Sequence, residues 1–164
     1  MIELANPLKL IHALVGVWFV AGLIGRWVAL GYAARASDIA SLKAALGVSA
    51  RFERMVIFGS AIVLLLGIGT AIVQGRAFLG PLQGGRVDWL FVSLLLYLSV
   101  LPLVPLVFLP RGRRFAAALA SADQQGRVTA ELTTAFRDPV VFSAHVYELV
   151  AVTVVLGLML AKPF

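Results

Sequence analysis

His12, Arg26, His145 and Glu148 are the residues of this chain whose chemistry is least in keeping with their surroundings, because each sits inside a long aliphatic run. His145 and Glu148 stand three apart in "FSAHVYEL", Phe142 to Leu149, which puts them one turn apart on one helix face. An imidazole and a carboxylate so placed can share a proton, hold a cationic partner or ligate a metal. The only other histidine is His12. The chain has no cysteine, so thiolate ligands, disulfides and covalent haem attachment through Cys-x-x-Cys-His are excluded. A cofactor here must be held non-covalently.

What has to position these groups follows from composition. Of 164 residues, 61% are hydrophobic and 13% charged, and the mean hydropathy is +0.98, far outside the range of a soluble domain. Four apolar runs follow one another: Leu8 to Leu30, Met55 to Val73, Trp89 to Leu109 and Val140 to Ala161. Each is close to the roughly 20 residues a helix needs to cross a hydrocarbon core of about 30 Å. The expectation is an all-α fold, a four-transmembrane-helix bundle forming a single membrane domain. The first run is too long for a cleavable signal and lacks a small-x-small exit, so it is expected to stay in the lipid bilayer.

Lysine and arginine counts give an orientation. Arg26, Arg35, Lys43, Arg51 and Arg54 flank the first loop, and Arg111, Arg113, Arg114, Arg127 and Arg137 the third, against Lys9, Arg76, Arg86 and Lys162 on the other side. The positive-inside rule then places the two longer loops in the cytoplasm and both termini on the outer side. The net charge of +6 is accounted for by these loop anchors, so no nucleic-acid partner is expected.

Local signals refine the picture. Ile39, Leu42 and Leu46 recur at helical spacing behind Ser37 and Asp38, which reads as a short helix lying on the membrane surface. Arg137-Asp138-Pro139 reads as a helix start, Asp138 capping and Pro139 in the first turn. Glycines between Gln74 and Gly85 read as a short hairpin. The alanine-rich stretch Phe115 to Phe136, broken at Gly126, reads as two brief helical pieces without a core of their own. Ala21 with Gly25, and Gly67 with Ala71, are small residues four apart that let helices approach closely.

Depth then sorts the polar residues. If the first and fourth spans pack antiparallel, Arg26 is level with His145 and Glu148, and His12 with Met159. A buried charge is costly singly, so Arg26 is expected to reach Glu148 within the bundle, His145 completing the cluster. Pro102 and Pro105 free the carbonyls of Leu98 and Leu101, which a polar cavity in the same half would satisfy. His12 and His145 are about 21 Å apart along the axis, too far for one haem iron. His12 with Met159, or His12 from each of two chains on a two-fold axis, remain as axial pairs. The alternative is that Arg26, His145 and Glu148 only staple helices together.

"LKLIHALVGVWFVAGL" at Leu8 to Leu23 and "ELVAVTVVLGLMLAKP" at Glu148 to Pro163 resemble the bacterial integral-membrane proteins grouped as domain-of-unknown-function family 2269, through all four spans. The resemblance implies the same fold and a place in the bacterial inner membrane; the family has no assigned activity. More distantly, the first-span pattern looks like that of the copper-resistance D proteins and of the haem-dependent protoporphyrinogen oxidase. There a first-span histidine is implicated in haem binding, which by resemblance maps to His12. The lysine-bearing third-span motif of that enzyme is missing, since Trp89 to Leu109 contains no lysine, and its activity is not implied.

Two functions are expected as alternatives. One is a haem b-binding protein for electron transfer or haem handling, with His12 and Met159 at the iron and Arg26, His145 and Glu148 holding propionates or moving protons. The other is a non-catalytic accessory or assembly subunit of a larger membrane complex, in which the polar layer fixes helix register; a self-contained homodimer would fit the two-fold His12 arrangement instead. No soluble catalytic motif is present: Ser143 and His145, two apart, face different ways on a helix.

Overall fold

A computed structural model of the chain describes residues 2–164, with side chains from Asn6 onward. The described residues form helices α1 (Ile2–Ala33), α2 (Ile39–Val73), α3 (Trp89–Val100), α4 (Leu109–Gln124), α5 (Ala130–Phe136) and α6 (Pro139–Ala161), with no strand. Four helical stretches are long and apolar enough to cross a membrane, as the four runs require.

α2 departs from expectation in a way that matters for the site. The segment from Ile39 is not a separate helix lying on the surface; it is the first part of one continuous helix of 35 residues. At 1.5 Å per residue that is about 52 Å, well beyond the hydrocarbon thickness of about 30 Å, so α2 projects from the membrane. Hydropathy falls before Met55, but "IASLKAALGVSARFER" has no proline to stop a helix. Asp38 starts it, accepting the Ser41 amide at 2.8 Å, a bond that holds its carboxyl below the ordinary carboxylate value.

The third span likewise continues past Leu109 into α4, through a π-helical stretch at Val104–Phe108. The expected demand of Leu98 and Leu101 for a polar cavity is not there. The chain tightens locally, and their carbonyls accept from the amides of Leu101 and Val104 at 3.3 and 3.2 Å. The wider π turn that follows carries Phe108 as its last residue.

α4 and α5 are the two pieces broken at Gly126, whose φ of +65° only glycine adopts freely. They do have a core, shared with the projecting part of α2: Leu42, Ala118, Ala122 and Leu132 are buried together. Lys43 clamps this unit through Asp123 at 2.8 Å. We call this end of the bundle the basic end; the chain termini and the hairpin mark the other.

α1 lies against α2 along its length, and α3 against α6. Glycines make the first pairing close. Phe52 of α2 fills the space a side chain at Gly25 would take, and a Cβ at Gly22 would stand 3.0 Å from that of Met55. Gly25 and Gly67 thus serve as small contact residues and Ala71 is buried, whereas Gly22, not the exposed Ala21, is the second contact on α1. The two pairs join through Phe19, Leu23 and Val56, onto which Leu149 and Val152 of α6 pack. Tyr97 adds a hydrogen bond from α3 to the Ser60 carbonyl of α2 at 2.7 Å.

Candidate functional site

At the basic end of the membrane-spanning part, three helices converge on one guanidinium. Arg26 of α1 donates one terminal nitrogen to Glu53 of α2 at 2.8 Å and the other to Glu148 of α6. Arg26 and Glu148 are buried, at 6% and 7% side-chain exposure, while Glu53 is 43% exposed and faces the way out. His145 lies one turn before Glu148, its Nδ1 at 3.6 Å from the same carboxylate oxygen and without a hydrogen-bond partner. The ring of Phe108 stacks on the imidazole, centroids 4.7 Å apart and planes 25° from parallel. The π turn in the third span thus delivers the aromatic lid of the polar layer.

Beside this layer is a cavity of about 420 Å³. Trp27, Phe108, Phe115, Phe136 and Phe142 give it aromatic walls. Arg26, Ser49, Glu53, Arg111 and His145 supply its polar lining. Arg111 is held from below: its Nε donates at 2.9 Å to Asp138, which also caps α6 by accepting the Val140 amide. Counting the partners, two guanidiniums meet three carboxylates around this space. A further anion finds no unneutralised cation there, so the lining favours a neutral guest.

The family model described as "Predicted integral membrane protein (DUF2269)" matches residues 6–163. The chain belongs to this family. No curated protein and no solved structure matches the chain.

In this DUF2269 chain the five residues singled out by depth fall into two places. Arg26, His145 and Glu148 come together as their levels require. His12 and Met159 lie in the other half of the bundle, roughly 20 Å away along the axis. His12 packs on α2, its Cε1 3.1 Å from where a Cβ on Gly67 would stand, and its Nδ1 is buried without a partner. It does not line the cavity, and Met159 is half-buried on α6. Among the described residues no group of three His, Asp or Glu side chains forms a metal-ligand set.

Sequence reasoning missed Glu53 and Ser49. Both fall before Met55, where hydropathy had ended the span and the neighbouring Arg51 and Arg54 read as loop. The signal was present in the spacing: Leu42, Leu46, Ser49, Glu53 and Val56 follow at four, three, four and three, a single helical stripe running into the membrane.

Proposed function

We propose that this integral membrane protein binds a neutral, ring-bearing guest in the cavity beside Arg26, and that it acts by binding and not by catalysis. The observation that carries this is the lining itself, aromatic walls closed on one side by an ion cluster whose cations are all matched. The volume of about 420 Å³ falls in the range of roughly 300–1,000 Å³ typical of small-molecule sites. By the distribution of lysine and arginine, the cavity lies at the cytoplasmic boundary of the membrane.

Trp27 is a built-in reporter. In a Trp18→Phe, Trp89→Phe background its emission should respond saturably to 2-methylnaphthalene and not to 2-naphthoate, its anionic relative. Gly112 lines the cavity with open space around its Cβ position, so Gly112→Phe should abolish the response with helix content retained. A linear response to both probes, untouched by Gly112→Phe, rules out the site.

A second reading, haem b bound through His12 for electron transfer or haem handling, is supported by the buried, unpartnered Nδ1 of that residue. A buried imidazole nitrogen without a partner calls for an explanation, and a ligand is one. Arg26 offers little to a propionate here, because both terminal nitrogens are given to carboxylates. This reading expects a Soret band in detergent-purified protein that His12→Ala weakens. Colourless protein after expression with ample haem overturns it.

A further inference from the structure

Resting on the cavity as a binding site, we propose that its guest is a quinone-type lipid: a flat ring with carbonyl acceptors and an apolar tail. The lining holds hydrogen-bond donors that are not spent on protein acceptors, on Ser49 and Arg111. Ser49 is 7% exposed, and its hydroxyl has no hydrogen-bond partner among the described residues. Arg111 gives only its Nε to Asp138, leaving both terminal nitrogens facing no acceptor among the described residues. A guest that brings acceptors but no charge can pair with these donors, which line the cavity and are not sealed in the interior.

The walls specify the rest of the guest. Phe108 stacks on His145, and Trp27 meets Phe142 at 5.6 Å, so flat faces border the space. A sugar or nucleotide would leave its many hydroxyls against these rings, while a planar ring does not. Trp27 and Phe142 are also 37% and 59% exposed on the flank of the bundle, which gives an apolar tail a route to the acyl chains. A carboxylate-bearing ring would add a fourth negative charge beside two guanidiniums already matched by three carboxylates.

The test compares 2-methyl-1,4-naphthoquinone with 2-methylnaphthalene, which share one ring skeleton and differ in the carbonyls. The chain has no cysteine for the quinone to alkylate. Binding to the full chain in detergent is read from the rise in thermal unfolding midpoint and, for the quinone, from quenching of Trp27 in the Trp18→Phe, Trp89→Phe background. The quinone should bind at least tenfold more tightly than the hydrocarbon, and Ser49→Ala should erase several-fold of that difference by weakening the quinone more than the hydrocarbon. Equal affinities, or a Ser49→Ala effect that is the same for both probes, overturns the quinone and leaves the cavity reading standing. Binding of neither probe overturns both.

Discussion

Arg26 and Glu148 stand 122 positions apart in the chain and meet in the interior of the bundle, with Glu53 on the guanidinium's other side. This is the point where the α1–α2 pair is tied to α6. The two helix pairs otherwise join through a few apolar side chains and the Tyr97 hydrogen bond, so the ion cluster fixes the depth and rotation of one pair against the other.

Breaking the pair from one side should cost more than removing it. Arg26→Leu leaves the Glu148 carboxylate buried and unpaired and should lower stability by about 3–5 kcal/mol, and Glu148→Leu, which leaves Arg26 paired with Glu53, should cost less. The double variant should recover part of that loss, since the half-exposed Glu53 can turn to water. Thermal unfolding of all three in one detergent measures this; a double variant as unstable as the sum of the singles would show that the groups do not act as a pair.

Two glycines on α1 should respond in opposite directions. Gly25→Ala sets a methyl against the Phe52 ring and should destabilise by about 1–3 kcal/mol. Gly16 has nothing within 4 Å of its Cβ position, so Gly16→Ala should be neutral or stabilise by about 0.5–1 kcal/mol. Unfolding midpoints in the same micelle distinguish close packing from a general preference for glycine.

Leu132 is fully buried between α5 and its neighbours. Leu132→Ala should cost the α2–α4–α5 unit about 2–5 kcal/mol. Hydrogen exchange should speed in α4 and α5 while the spans stay protected. Loss of protection throughout would mean that this unit and the bundle fold as one.

Orientation can be read by labelling, because the cysteine-free chain accepts single reporters. Gln83→Cys, in the hairpin, should react with a membrane-impermeant maleimide from outside intact cells. Gln125→Cys, between α4 and α5, should react only after the membrane is opened. The reverse pattern inverts the protein and places the cavity at the outer face.

Residue spacing alone located Arg26 and Glu148 at one level, because every span must cross the same slab and a charge in lipid must find its partner. It did not reveal Glu53, since hydropathy marks where the lipid ends and says nothing about where a helix ends. Nor could it anticipate the core under α4 and α5: two brief alanine-rich helical pieces have nothing to bury against until the projecting part of α2 covers them.

The chain by itself determined the four crossings, the helix starts at Asp38 and Asp138 and the inward turn of the charged residues, because each follows from the local cost of exposing backbone or charge to hydrocarbon. Only the tertiary structure decided that α1 pairs with α2, that Arg26 has two carboxylates, and that Phe108 closes on His145 beside an aromatic cavity. Those outcomes depend on which side chains interlock across helices. Aliphatic runs are interchangeable in lipid, and packing is what tells them apart.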